Sequence, residues 1–325
     1  MTVELADIRD AARRLHGEAI VTPLLEFPDL NEKVEGRVLI KPECLQRVGA
    51  FKFRGAFNRL SRLSAAQRER GVVAFSSGNH AQGVALAARL IGAPALIVMP
   101  ADAPQVKIQG TRSHGAEIVF YDRVLQNRET IAKEIALARR AVIVPAYNDT
   151  DIIAGQGTVG LEIAAQATAA TAALDLCIGP VGGGGLMAGV STAIKALSPA
   201  TEIWGVEPEG FDDTRLSIAS GRRRGAPSHP RSLCDALEAP MPGALTFPLL
   251  RRNLAGLTAV SDREVLNAMR YAFLVLKLVV EPGGVVALAA LLAGKIRLRG
   301  RTTAIILSGG NVDPELFARA ILAES

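Results

Sequence analysis

Several functional classes are excluded by what this chain lacks. Although 49% of its residues are hydrophobic, it has no run of about 18 uncharged apolar residues of the kind a membrane span requires. The most apolar region, near 271–292, is cut by Lys277 and Glu281. Cysteine is scarce: Cys44, Cys177 and Cys234 stand far apart without metal-ligand spacing and read as small buried or unreactive thiols. Aromatics are scarce too, with one Trp and three Tyr. None interleaves with basic residues, so the net charge of +5 builds no stacking platform for bases. The one arginine cluster, Arg222 to Arg224 in GRRRGAPSHPR, reads as a solvated Gly/Pro loop. Tandem repeats, heptads and low-complexity tracts are absent. The opening MTVELADIRDAARRL reads as an amphipathic helix of mixed charge without the apolar core of a secretory signal. The expectation is a soluble cytoplasmic protein whose partners are neither nucleic acid nor membrane.

What is present is a regular alternation of short apolar runs with amphipathic helices. At 325 residues and 34.2 kDa the chain can bury one large α/β core or two lobes, and two lobes is the working expectation. A loop around Pro23, a short helix and a strand, RVLIK (37–41), lead into GAFKFRG (49–55). From 71 to 148 compact βαβ units follow: VVAF, a helix over 79–91, PALIVMP, a helix over 104–113, AEIVFY, a helix over 126–140 and VIVPA. From 155 the pattern repeats with a helix in GQGTVGLEIAAQ, strand LDLCIGP, a helix over 185–197, strand EIWGVEP and a long loop over 221–256. Helices over 262–279 and 284–294, strand AIILSGG and a helix over 313–323 complete it. Such spacing predicts parallel sheets with helices on their faces and ligands at the C-terminal strand ends.

Four small-residue turns lie at those ends. In GAFKFRG, Lys52 stands between Phe51 and Phe53 just before a helical run. Apolar neighbours and a helix N-terminus both disfavour the ammonium, as an amine that attacks an aldehyde requires; the alternative is a solvated lysine whose stem lies beside a core Phe. Ser76-Ser77-Gly78-Asn79-His80 opens the next helix, where Ser and Asn are preferred caps. The run Gly182-Gly183-Gly184-Gly185 can aim backbone N–H groups at a phosphate. It could equally serve a nucleotide, with Glu207 as the acid ending the next strand. Ser308-Gly309-Gly310-Asn311 is the last strand-to-helix turn.

Taken in this order, the four turns resemble the fold-type II pyridoxal phosphate enzymes, specifically the serine/threonine dehydratase and serine racemase family, from about residue 20 to residue 313. The resemblance implies a two-lobe α/β fold of the tryptophan synthase β-subunit type. Residues 1–70 and 149–325 would form the large, cofactor-binding lobe and 71–148 the small one. It implies pyridoxal phosphate on Lys52, Phe51 on the ring face, Asn79 on the ring hydroxyl, Gly182 to Gly185 on the phosphate and Ser308 on the pyridine nitrogen. A neutral hydroxyl there makes the ring a weaker electron sink, which suits β-elimination better than transamination. The turn with Ser76, Ser77, Asn79 and His80 would hold the substrate carboxylate, and Ser77 would face the substrate α-carbon opposite Lys52.

The implied activity is an ammonia-lyase acting on L-threonine, L-serine or a related β-hydroxy amino acid, in a homodimer. Serine racemisation and threo-3-hydroxyaspartate dehydration are the alternatives. Arg128 aligns with a family arginine near the substrate side chain, and Glu207, Phe211 and Asp213 in VEPEGFDD match a racemase site for a divalent cation, Mg²⁺ or Ca²⁺. A solvated acidic loop and an exposed helical arginine are the competing readings. Tyr147 in PAYND and Cys234-Asp235-Ala236 depart from the racemase pattern, which puts racemisation and the substrate side chain in question. With so little chain after SGGN, a regulatory domain answering to isoleucine is not expected. The non-enzyme alternative is a regulatory protein that binds pyridoxal phosphate or a nucleotide without turnover.

Overall fold

The computed structural model describes residues 2–226 and 232–322; part of the GRRRGAPSHPR loop and the last residue of the helix expected over 313–323 lie outside them. The strands are β1 (Leu25–Glu26), β2 (Arg37–Pro42), β3 (Val72–Phe75), β4 (Ala95–Pro100), β5 (Glu117–Tyr121), β6 (Val142–Ile143), β7 (Leu176–Pro180), β8 (Glu202–Pro208), β9 (Gly256–Val260) and β10 (Thr302–Leu307). They form two sheets, a four-stranded one ordered β5-β4-β3-β6 and a six-stranded one ordered β1-β2-β10-β7-β8-β9. All pairings are parallel except β1 with β2. Side chains alternate between faces with the period of two a strand imposes. On β10, Ile305 packs with the apolar helix Pro282–Leu292, whereas Ala304 and Ile306 pack with helix Gly185–Leu197 on the other face. Val73 and Val98 likewise oppose Ala74 and Ile97 in the smaller sheet.

Several element bounds differ from the periodicity reading, each for a local reason. The helix expected at 155 begins at Thr150, because the Asp149 carboxylate accepts from the backbone N–H groups of Asp151 and Ile152 at 2.9 and 3.0 Å. The helix expected to reach 279 ends at Leu274, ahead of the left-handed turn at Lys277. Strand β6 is short, with Val142 and Val144 N–H donating to Gly71 O and Val73 O at 3.0 and 2.9 Å, and Pro145 is tolerated beside it because β6 is an edge strand. The long loop holds a helix, Thr246–Asn253, whose Pro248 is tolerated in the first turn, and it ends in β9, which the sequence reading placed in no strand.

Helix Lys52–Leu60 sits between the two sheets. Its Phe53, Ala56, Phe57 and Leu60 join the core formed with helix Asn79–Leu90. Its other side crosses helix Thr150–Ala169 at Gly55 and Gly155, where a Cβ on Gly155 would stand 2.6 Å from the Gly55 Cα. A buried charge cluster locks that crossing. The Arg54 guanidinium forks onto Glu43 at 2.7 and 2.8 Å and onto Glu162 at 2.6 and 2.9 Å, and Lys41 adds a contact to Glu162 at 2.6 Å. Burial pushes the Glu43 carboxyl up, but the Arg54 charge and hydrogen bonds, with Thr22 and Lys41, outweigh it and leave the group below its ordinary value. Replacing Arg54 with Met strands the buried Glu43 and is expected to cost about 3–5 kcal/mol, read from the shift in a urea midpoint. Glu43 contributes stability above the unfolded carboxylate pKa of about 4.3, and this is lost as pH falls through its lower folded value. The Arg54→Met deficit should therefore narrow in acid; a deficit below about 1 kcal/mol at neutral pH would contradict this role.

Candidate active site

The C-terminal ends of β2, β3, β7 and β10 converge on one cleft of about 1000 Å³, part of it open to solvent. Phe51, Lys52, Ser76, Ser77, Asn79, His80, Arg128, Gly182 to Gly185 and Ser308 all line it. Glu207, Phe211 and Asp213 lie apart, in the turn after β8.

Lys52 is the first residue of its helix, and its Nζ donates to the Ala146 carbonyl at 2.9 Å. Burial pushes the amine down to about 8, against a partial upward pull from Glu281. Backbone bonds stitch its segment to the last turn: Phe51 N–H donates to Ser308 O at 3.1 Å and Gly310 N–H to Gly49 O at 2.9 Å. Val48, beside it, is held at φ 57, a left-handed backbone costly for a β-branched residue, and its carbonyl accepts from the Asn311 amide at 2.7 Å.

The turn after β3 departs from the cap reading. Gly78 occupies the helix cap position, and the Asn79 side chain turns away from the helix end. Its amide donates to Glu281 while its carbonyl accepts from Asn311 at 2.9 Å. Ser76 Oγ accepts from Gly78 N–H at 3.1 Å and closes the turn. His80 Nε2 donates to the Val144 carbonyl at 3.0 Å, which fixes the tautomer, and burial together with the Lys52 charge pushes its pKa down to about 3. The imidazole is therefore neutral, with Nδ1 as a buried acceptor.

In the tetraglycine run, Gly184 adopts φ +89 and caps helix Gly185–Leu197. The Gly183 carbonyl is tied away by Thr246 Oγ1 at 2.7 Å and Gly243 N–H at 3.2 Å, so the Gly184 N–H on the opposite edge of that peptide points away from them. Tyr147 lies against the run, and a Cβ on Gly183 would enter its ring. Arg128, the first residue of helix Arg128–Arg139, places its guanidinium over the Phe75 ring at 5.7 Å. Arg123, by contrast, is paired with Asp102 at 2.7 Å.

Lys107 and Asp235 also line the cleft, and Glu281 and Asn311 stand just behind it against Asn79; of the four, Lys107 was not singled out in the sequence at all. Glu281 showed there only as an interruption of an apolar run, and a lysine inside an amphipathic helix carries no local mark of burial.

A family model described as pyridoxal-phosphate dependent enzyme matches residues 16–309. The chain belongs to that family. Among its relatives, this pyridoxal-phosphate dependent enzyme is 45% identical to L-threo-3-hydroxyaspartate ammonia-lyase of a Pseudomonas species, over 96% of each chain. It is 40% identical to the L-threonine ammonia-lyase of Thermotoga maritima, over 98% of this chain and 78% of that one. The structure of maize serine racemase superposes with a TM-score of 0.93 at 35% identity, covering 99% of this chain and 97% of that one. The fold is thus that of the fold-type II enzymes, and the ammonia-lyase and racemase branch of the family is the one the chain falls in.

The amine depressed to about 8 and the cationic Lys107, raised by Asp235 and Glu281 against its own burial, should react differently with an aldehyde. Loading with pyridoxal phosphate, borohydride reduction and digestion are expected to label the Lys52 peptide and leave Lys107 unlabelled. A label elsewhere, or none, would contradict the assignment of Lys52.

Proposed function

We propose that this enzyme is an ammonia-lyase for β-hydroxy amino acids that favours threo-3-hydroxyaspartate, with L-serine and L-threonine as slower substrates, and releases a 2-oxo acid and ammonia. The observation that carries the substrate choice is Arg128: a guanidinium on the cleft wall with no ion pair among the described residues. A second substrate carboxylate would supply its missing partner, which serine and threonine cannot. The Pseudomonas relative's name points the same way.

The residues present fit the cofactor. Lys52 offers an amine that titrates near neutrality, the tetraglycine run offers N–H groups at a helix N-terminus for the phosphate, Phe51 a ring face and Ser308 a hydroxyl. Bound pyridoxal phosphate withdraws electrons from the substrate α-carbon and so acidifies its proton. Lys52 would take that proton as general base. The Ser76–His80 turn would hold the α-carboxylate, and Asn79, fixed between Glu281 and Asn311, would hold the ring hydroxyl. Movement of the four-stranded sheet toward the six-stranded one would exclude water from this site. Ser77, on the face opposite Lys52, is the group that would return a proton if racemisation accompanies elimination.

The turn after β8 supports a divalent cation at Glu207, Phe211 and Asp213. Both Asp213 carboxylate oxygens are buried without a hydrogen-bond partner, and burial pushes this group up to about 7 and Glu207 up to about 8. Glu207 accepts from the N–H groups of Thr214 and Arg215, each at 2.9 Å. No cluster of three or more His, Cys, Asp or Glu suited to a metal occurs among the described residues, so a main-chain carbonyl and waters would complete the shell.

Two measurements test these readings. Arg128→Ala should lower kcat/KM for threo-3-hydroxyaspartate by about tenfold to a hundredfold, the worth of a charge-assisted hydrogen bond, while L-serine changes less than about threefold. Equal loss on both substrates would remove the acidic-substrate reading, and the enantiomer ratio of recovered serine in the same assay reports on Ser77. For the cation, Mg²⁺ or Ca²⁺ added after chelation should raise Tm in the wild type but not in Asp213→Asn; an equal rise in both would place the ion elsewhere.

A further inference from the structure

Lys107 is among the largest fully buried side chains of the described residues. It belongs to helix Gln105–Ser113, which follows β4 of the four-stranded sheet. Its ammonium nevertheless ends on the other sheet's elements: Asp235 at 2.9 and 3.0 Å, and Glu281, the cap residue of helix Pro282–Leu292, at 3.0 Å. The neighbouring Val106 N–H makes a second link to that side, onto Asp313 at 3.3 Å. On its way across, the Lys107 side chain runs over Gly78. A Cβ at Gly78 would collide with its Cδ and stand 3.0 Å from its Cε. Glu281 also accepts from Asn79, the next residue of the same turn.

We propose that Lys107 is a positioning residue: with its ammonium held between Asp235 and Glu281, its aliphatic stem pins Gly78 and sets the place of the Ser76–His80 turn opposite Lys52. This rests on the reading of that turn as the holder of the substrate carboxylate. A buried cation serving one buried and one partly exposed carboxylate is costly to assemble, and swapping such clusters for apolar residues is often neutral for stability. The structure uses the cluster where a helix of the four-stranded sheet meets elements of the six-stranded one across the cleft.

The test compares wild type with Lys107→Met, which keeps an unbranched apolar stem and removes the charge. In the cofactor-loaded enzyme without substrate, amide exchange of peptides spanning residues 76–83 should quicken by about tenfold, while that of Thr302–Leu307 stays unchanged. KM for the β-hydroxy amino acid should rise by about tenfold with kcat within about threefold. Lys107→Met/Glu281→Gln also removes one stranded carboxylate. If Lys107 positions the turn, Tm recovers in this variant while exchange and KM remain raised; if the cluster only adds stability, all three recover and the proposal falls. Should Lys107→Met fail to fold, Asp235→Asn loosens the same ammonium from a side chain that is 25% exposed. The same peptides should then quicken by a smaller factor, and no change would overturn the proposal. Faster exchange with unaltered KM would uphold the pin and refute the turn's part in substrate binding.

Discussion

Lys52 is dry enough to lose its proton more readily than a free lysine and open enough to line the cleft, and much of this structure meets both conditions at that one side chain. Placing it at the first position of a helix between two sheets achieves this. The helix body is buried by apolar contact on one side and by a glycine-on-glycine crossing on the other, while its N-terminal end opens into the cleft. The amine then feels desolvation without being sealed, and its pKa falls to about 8.

Holding a helix end in that position requires a rigid anchor, and Arg54 supplies it two residues on. The guanidinium is saturated by carboxylates from Glu43 and Glu162, which come from different parts of the chain, so the helix is tied to both the segment before it and the long helix behind it. Such a cluster adds little to stability compared with an apolar substitute, but it permits only one register.

Glu281 connects the remaining parts. Its backbone N–H donates to Gly309 O at 3.0 Å, its carboxylate receives Asn79 and Lys107, and its charge partly restores the proton affinity of Lys52. Lys52, the turn after β3 and the last turn are thereby coupled through one buried carboxylate. A change in any of them alters the electrostatic setting of the others.

The sequence by itself determined the α/β class, the four small-residue turns and their order, because strand and helix periods are local and glycine-rich turns declare a backbone need that neighbours in the chain reveal. It also marked Lys52, Asn79, the tetraglycine run and Ser308 as members of one constellation through resemblance. Local signals failed where competing ones stood close by: Pro248 hid helix Thr246–Asn253, and Lys277 looked like any helical lysine although it ends a helix. Only the tertiary structure decided that Lys107 and Asp235 line the cleft, and that Asn79 serves Glu281 and Asn311 instead of capping its helix. Their roles depend on burial and on charges brought together from positions more than a hundred residues apart. Those interactions have no counterpart along the chain, because electrostatic coupling follows distance through a low-dielectric interior and not separation in sequence.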